Sequence, residues 1–214
     1  MGTPSARPVV GLIVPSSHPT VERLLSRGGV AAVLGIDVVV TRLLADAGVR
    51  AFVWAGTSGF RLGAGGERAA LDPVAGDLGV PAGSSREGVL AALTEAGVAE
   101  VAVRTPYVEP VHDAVVAAVT AAGFAVSASQ RLGLSRNLDF AGIDPAELDG
   151  CLARLGGDAR RPVAVVCTNV AAARPAPVPV VDSVIATLLW AARMVSDTAP
   201  GYAQTHRRLI AGAS

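Results

Sequence analysis

The chain has 214 residues, of which 51% are hydrophobic and 17% charged, and its formal net charge is zero. This composition supplies a core and argues against disorder, while the lack of a basic cluster argues against nucleic-acid binding. No apolar run reaches the roughly 20 residues of a membrane span, and residues 1–8 do not resemble a secretory signal. Two cysteines form neither a disulfide framework nor a metal site. We therefore predict a cytoplasmic protein without metal or cofactor.

The first part of the chain begins with an apolar strand. Residues 9–14 are predicted to form this strand, followed by a polar loop and a short helix from about Thr20. Residues 30–47 fit two interpretations. In the first, a strand near residues 30–34 is followed by a helix from Asp37 to Ala47. In the second, the apolar run Val38–Val40 is a strand.

A glycine-rich stretch follows the next predicted strand, at residues 51–55. Residues 60–83 are predicted to be a loop with a helical piece near 67–71, either a lid over a site or a surface loop. The stretch lacks the spacing of a dinucleotide-binding loop, so a nucleotide cofactor is not predicted.

The rest of the chain continues the alternation of strands and helices. We predict helices at 89–96 behind the capping box Ser84-x-x-Glu87, at 111–122, after Asp144 and from Asp182 to Met194, and strands at 100–104, 124–128, 162–167 and 178–181. Residues 133–140 are predicted to be a polar loop. The tail after Asp197 is a docked helix or a frayed end. This alternation predicts an α/β fold built on parallel strands.

Residues 162–169 stand out because a run of β-branched residues ends in Cys167 and two polar residues. The run is typical of a strand buried on both faces, and ligands bind at the carboxyl ends of such strands. A thiol there donates or accepts a proton or attacks a substrate, whereas an ordinary buried cysteine only packs. Cys167 is our candidate catalytic residue, and we expect Cys151 only to pack.

Residues 52–60 have the same shape, with Gly56 and Thr57 in the positions of Cys167 and Thr168. Two similar strand ends predict two related half-domains that face one another. We predict that one contains residues 1–97 and a C-terminal helix from about 182 to 214, and the other residues 98–181.

Five motifs, two of them in the stretches just described, carry a resemblance to a known family. They are Gly11–Ser17, Gly56–Gly59, Thr105–Val108, Leu132–Asn137 and Cys167–Asn169. They resemble the aspartate/glutamate racemase superfamily, in particular its maleate cis-trans isomerase and arylmalonate decarboxylase branch. The resemblance implies two Rossmann-like lobes related by a pseudo-twofold axis. Each lobe is a mostly parallel sheet flanked by helices, and the active site lies in the cleft between them.

The resemblance also implies a reaction class. Its usual site has one cysteine from each lobe, and here the second is Cys167 while the first position is Gly56, as in arylmalonate decarboxylases. Maleate isomerases use the first cysteine to attack the double bond and carry asparagine where this chain has His18. With Cys167 as the only thiol of the site, two-base racemisation lacks its second acid/base group, and covalent isomerisation lacks its nucleophile. Decarboxylation of a malonate-type acid remains, through an enediolate that Cys167 protonates.

The enediolate needs hydrogen-bond donors aimed at its oxygens. Candidate substrate-binding residues are Ser16, Ser17, Gly56, Thr57, Ser58, Tyr107, Asn137, Thr168 and Asn169. Several have a purely structural alternative: turn capping for Thr57 and Ser58, and packing for Tyr107. His18 is either a solvated turn residue or a cation and acid/base group.

We therefore predict a cofactor-independent decarboxylase whose partner is a small carboxylic acid, and assembly into a homo-oligomer is compatible with the sequence. One alternative is an isomerase or related lyase in which His18 or water replaces the missing cysteine. Another is a ligand-binding family member with little turnover.

Overall fold

The computed structural model describes residues 7–13, 20, 25, 33–40, 48–156, 161–170, 172 and 174–211. Its strands are β1 (Val9–Ile13), β2 (Asp37–Val40), β3 (Ala51–Trp54), β4 (Ala82–Ser84), β5 (Glu100–Tyr107), β6 (Ala125–Leu134), β7 (Val163–Val165) and β8 (Val180–Asp182). Its helices are α1 (Ser58–Leu78), α2 (Ser85–Glu95), α3 (Glu109–Ala121), α4 (Asn137–Ala141), α5 (Pro145–Leu155), α6 (Ser183–Arg193) and α7 (Tyr202–Ala211).

The strands form two four-stranded sheets with the same topology. Their strand orders are β2-β1-β3-β4 and β6-β5-β7-β8, and every pairing between these strands is parallel. The predicted α/β fold with parallel sheets flanked by helices is confirmed. In the ambiguous stretch the strand interpretation is correct, since Asp37–Val40 pairs with β1 and the helix predicted from Asp37 does not begin there.

The prediction of a loop at residues 60–83 is wrong. Residues Ser58–Leu78 form helix α1, which is kinked at Gly63, where φ is 66°. The glycines mask an amphipathic pattern in which Phe60, Glu67 and Leu71 recur at helical spacing, and all three are buried. Burial of this face offsets the poor helix propensity of glycine.

The predicted polar loop at residues 133–140 is also wrong. Strand β6 continues to Leu134, and α4 begins at Asn137. The strand is longer than predicted because its neighbour β5 extends through Pro106 to Tyr107 and supplies pairing partners. Pro106 has no N–H to donate, and the register between the two strands shifts at this residue.

The strands after residue 160 face two different hydrophobic clusters. Val163, Val165 and Cys167 pack into one cluster with residues of α4 and α5, while Ala164 and Val166 face a larger one. That larger cluster also takes side chains from α2, α3 and α6 and from the first sheet. The period of two along the strand therefore places Cys167 on the α5 side of the second sheet.

Helix α6 follows the last strand of the second sheet but packs on α2, which belongs to the first half of the chain. Thr187 Oγ1 donates to Ser85 Oγ at 2.7 Å. The tail forms helix α7, whose Tyr202 contacts both Glu95 and Asp182. These contacts support our proposal that the C-terminal helices belong to the amino-terminal half-domain.

Gly88 allows the close approach of α2 and α6. A Cβ atom at this position would lie 2.6 Å from the carbonyl oxygen of Ala186 and 3.2 Å from the Cα of Thr187. Since both contacts are backbone atoms, we expect Gly88→Ala to lower the free energy of unfolding by about 1–3 kcal/mol, measured by chemical denaturation. Gly76→Ala is the matched control, because its added methyl meets open space within a helix. Equal stability of the two variants would contradict this account.

Candidate active site

Cys167 lies two residues beyond β7, at the carboxyl end of the second sheet. Only 2% of its surface is exposed. Its backbone N–H donates to Ser183 Oγ at 3.1 Å, which ties the turn after β7 to the first residue of α6. The thiol is thus held between a strand end and a helix N-terminus.

The two similar strand ends predicted from the sequence meet across the two halves of the chain. Thr168 Oγ1 donates to the carbonyl oxygen of Ala55 at 3.3 Å. Ala55 precedes Gly56, and Thr168 follows Cys167. This contact therefore joins the neighbours of Gly56 and Cys167, the two positions that were predicted to face one another.

Three side chains, those of Thr57, Tyr107 and Cys167, lie together at this junction. Thr57 Oγ1 bonds to the hydroxyl of Tyr107. The Tyr107 hydroxyl also lies near enough to the Cys167 thiol to lower the pKa of that thiol. Thr57 is the N-cap residue of α1, yet its side chain makes no capping hydrogen bond. The capping and packing alternatives considered for Thr57 and Tyr107 therefore do not describe their hydroxyl groups.

The phenol ring of Tyr107 is held by its position and by an aromatic neighbour. Tyr107 is the last residue of β5, the strand between β6 and β7. Its ring meets Phe140 of α4 edge to face, with centroids 5.3 Å apart and an interplanar angle of 80°. This contact orients the hydroxyl toward the two strand ends.

Burial controls the ionisation of both groups. Loss of solvation raises the pKa of Cys167 to about 11, and the hydrogen bond from Tyr107 and the backbone N–H groups of Asn169 and Val170 oppose this rise. The pKa of Tyr107 is well above its ordinary value, first because the phenol is buried and then because Cys167 is adjacent. Both groups are protonated at neutral pH and are able to donate a proton.

Asn169 connects three segments of the chain. Its Nδ2 donates to the carbonyl oxygen of Asn137 at 2.7 Å. Its own carbonyl oxygen accepts from Thr20 Oγ1 at 2.9 Å, and its Oδ1 accepts from Thr20 N–H at 3.3 Å. Asn169 thus holds the loop after Cys167 in place, and Asn137 contributes a backbone carbonyl to this network. The predictions for Ser16, Ser17 and His18 lie outside the described residues.

A cavity of about 270 Å³ opens beside the Thr57–Tyr107 pair. Among the described residues, it is lined by Thr57, Ser58, Arg61, Tyr107, Val108, Val111, Leu134, Ser135 and Phe140. Arg61 and Ser135 were not predicted to belong to the site. Arg61 follows Ser58 by three residues, a spacing that places two side chains next to each other on a helix. This spacing indicates a shared site only if residues 58–61 are helical, whereas a loop was predicted from residue 60.

Asp182 is a further residue near Cys167 that was not predicted as a site candidate. It is the N-cap of α6, where its Oδ1 accepts from Ile185 N–H at 2.8 Å, and Oδ2 has no partner among the described residues. Burial raises the pKa of this carboxyl group to about 7. Val180, two residues earlier, shares a hydrophobic cluster with Cys167, so Asp182 and Cys167 face the same side of the sheet.

Cys151 lies elsewhere, on α5. It is buried, and its Sγ accepts from Arg154 Nη2 at 3.2 Å and lies 3.7 Å from Arg104 Nη2. Neither Cys151 nor Cys167 is among the described residues that line the cavity; Cys167 lies behind Tyr107, which does line it.

The described part of the chain shows neither a cluster of metal ligands nor a membrane-spanning helix. In the described ranges, no three His, Cys, Asp or Glu side chains lie close enough together to hold a metal ion. None of the helices within those ranges has the length and apolar character that a membrane crossing requires.

Sequence comparison assigns the family. Residues 20–206 match the family described as arylmalonate decarboxylase. This match spans most of the chain. The chain belongs to the arylmalonate decarboxylase family. No protein with a curated description matches it.

Solved structures show that members of the arylmalonate decarboxylase family share this fold with maleate isomerases. An arylmalonate decarboxylase structure has a TM-score of 0.66 at 22% identity, covering 91% of this chain and 97% of the other. The maleate isomerase of Pseudomonas putida S16 has a TM-score of 0.70 at 22% identity, covering 86% and 90%. A cysteine-to-serine variant of the Nocardia farcinica maleate cis-trans isomerase with a covalently bound succinylcysteine intermediate has a TM-score of 0.72 at 21% identity, covering 88% and 92%. At such identities these similarities establish the fold and leave the choice of reaction open.

Proposed function

We propose that this chain is a cofactor-independent decarboxylase of a small malonate-type acid. The observation that carries the proposal is a single protonated thiol, Cys167, that lies next to the Tyr107 hydroxyl at a junction where the opposing strand end has Gly56. A reaction that needs one proton donor and no nucleophile fits this arrangement.

The proposed reaction begins with cleavage of the bond between the α-carbon and one carboxylate. Carbon dioxide leaves, and the electron pair of that bond delocalises into the remaining carboxylate as an enediolate. The Sγ–H proton of Cys167 then passes to the α-carbon, and the resulting thiolate recovers a proton from water. The raised pKa of Cys167 keeps the thiol protonated before this step.

Stabilisation of the enediolate is assigned to the hydroxyl groups that line the cavity. Thr57 and Ser58 lie at the N-terminus of α1, where backbone N–H groups also point outward, and Tyr107 stands between Thr57 and Cys167. Loss of one such donor typically costs about 3 kcal/mol of barrier. Thr168 and Asn169 contribute through the turn after Cys167, and Asn137 remains a proposed carboxylate ligand.

The runner-up is cis-trans isomerisation. The related isomerase from Nocardia farcinica was captured with a substrate-derived group on cysteine, and Gly56 offers no nucleophile for such a bond. His18 or water would then have to act in its place. A ligand-binding role with little turnover is the third proposal.

Turnover assays separate these three functions. We expect 2-methyl-2-phenylmalonate or a related disubstituted malonate to release carbon dioxide and, in D₂O, to give one enantiomer with deuterium at the α-carbon. Maleate should not be converted. Exhaustive treatment with a chelator is the control for metal dependence and should leave the rate unchanged. Conversion of maleate without decarboxylation of any malonate would favour the isomerase, and turnover of neither would favour the binding protein.

Position 56 provides a sharper test. Gly56→Cys puts a second thiol opposite Cys167, so a decarboxylase should yield product of lower enantiomeric purity or gain racemase activity. An isomerase should instead become faster on maleate. Chiral chromatography of the product and a maleate assay measure the two outcomes. Gly56→Ala is the matched control, since it adds a side chain without a thiol and should keep the stereochemistry of the wild-type product.

A further inference from the structure

The cavity beside Thr57 and Tyr107 contains one feature that the proposed reaction does not use. Arg61 lies on its wall, and it is the only basic residue among the described lining residues. The remaining wall consists of hydroxyl groups and of the apolar side chains of Val108, Val111, Leu134 and Phe140. The cavity therefore pairs a positive charge with an otherwise neutral lining.

The guanidinium group of Arg61 is not committed to the protein. It makes no ion pair or hydrogen bond with any residue that the structure describes, whereas Arg86 on the neighbouring helix α2 is bonded to the buried Glu67 at 2.9 Å. Unpaired arginines are common on protein surfaces, so the lack of a partner is informative only because Arg61 lines the cavity. Arg61 is one helical turn beyond Ser58, and residues three apart on a helix lie side by side, about 5–6 Å between Cβ atoms.

The position also suggests which group Arg61 would meet. A cation beside the departing carboxylate would stabilise the ground state and oppose the loss of carbon dioxide. A cation one turn away from the hydroxyl groups that face the reacting centre can instead hold a charge elsewhere on the substrate. The planar guanidinium group is suited to a carboxylate, which it binds through two parallel hydrogen bonds.

We propose that Arg61 binds a third carboxylate, carried on the α-substituent of the substrate, so that the preferred substrates are malonate-type acids with an acidic side chain. This inference rests on the proposed function for the identity of the reacting group. The cavity volume of about 270 Å³ lies just below the usual range for ligand pockets, about 300–1,000 Å³, and so suits a small acid of this kind.

Binding of product-like acids tests the inference without requiring turnover. Calorimetric titration compares 2-methylglutarate with 4-carbamoyl-2-methylbutanoate, which replaces the distal carboxylate by a neutral amide of similar shape. We expect the wild type to bind the diacid about tenfold more tightly, as is typical of one charge-assisted contact. Arg61→Gln should abolish this preference, and Arg61→Lys should retain part of it.

Arg50→Gln is the matched control. Arg50 is also exposed, but it precedes β3 and so lies at the amino-terminal end of that strand, whereas α1 and the cavity lie at its carboxyl-terminal end. This variant changes the net charge equally and should keep the wild-type preference. Equal binding of the two acids by the wild type, or a preference that survives Arg61→Gln, overturns the inference.

Turnover then separates failure of the inference from failure of the reaction. Decarboxylation of 2-(2-carboxyethyl)-2-methylmalonate and of its distal amide is measured with the same variants. If neither of these malonates nor 2-methyl-2-phenylmalonate is converted while Arg61 still sets the binding preference, the decarboxylase proposal fails and the carboxylate-binding role of Arg61 stands. If only 2-methyl-2-phenylmalonate is converted, the inferred substrate preference fails and the decarboxylase proposal stands. If both the carboxyethyl malonate and its amide are converted at rates that are independent of Arg61, the inference alone fails.

Discussion

Replacement of Cys167 by serine is expected to reduce turnover by a factor of about 10²–10⁴, with little change in substrate binding. This range is typical for the loss of a positioned acid or base. Serine has nearly the same shape, and the backbone bond from residue 167 to Ser183 needs no side chain. A hydroxyl group is a much weaker acid than a thiol, so protonation of the enediolate becomes limiting.

The measurement is steady-state decarboxylation of the best malonate substrate, combined with calorimetric binding of its product acid. Cys151→Ser is the matched control, since it removes the other buried thiol, which lies on α5 beside Arg104 and Arg154 and away from Tyr107. Wild-type turnover in Cys167→Ser would rule out the single-thiol mechanism and make His18 the leading candidate for the acid.

Replacement of Asp182 by asparagine is expected to make stability less sensitive to pH. The pKa of Asp182 is raised from 3.8 to about 7 by burial, so between these values the folded protein holds a proton that the unfolded chain has lost. The stability of the wild type therefore falls as pH rises through this window and levels off above it. A difference of about three pKa units between the folded and unfolded states lowers the free energy of unfolding by about 4 kcal/mol across this window.

Asparagine is neutral at every pH and keeps an oxygen for the N–H of Ile185, so the cap of α6 is preserved. We expect wild type and Asp182→Asn to be similarly stable near pH 4, and the variant to be more stable by about 4 kcal/mol near pH 8. Urea denaturation at a series of pH values measures this difference, in which the titration of all other groups cancels. Asp197→Asn, at an exposed aspartate, is the control for the change in formal charge. A difference that is independent of pH would show that Asp182 does not titrate in this window.

Much of the fold follows from local patterns that the sequence alone determines. The continuous apolar run at residues 162–167 marks a strand buried on both faces, and the spacing of Ser84 and Glu87 marks a helix start, because both patterns depend on near neighbours. The capping box is present, with Ser84 Oγ accepting from the Glu87 N–H and Glu87 Oε2 accepting from the Ser84 N–H. Local patterns failed at residues 60–83, where the abundance of glycine concealed a face that becomes helical only when Phe60 and Leu71 are buried against the sheet.

The site itself was only partly accessible from sequence. Cys167, Thr57 and Tyr107 were chosen because of the motifs that contain them, and the topology brings them together from positions that are 50 or more residues apart. Only the tertiary structure shows that the Tyr107 hydroxyl lies between Thr57 and Cys167 and that Arg61 lines the cavity. It also shows that Asp182 is buried on the same side of the second sheet as the Cys167 thiol. Sequence spacing fixes contacts within a helix or strand. The order of the strands and the packing of the two halves decide which of those elements meet, and the pKa values follow from the burial that this packing creates.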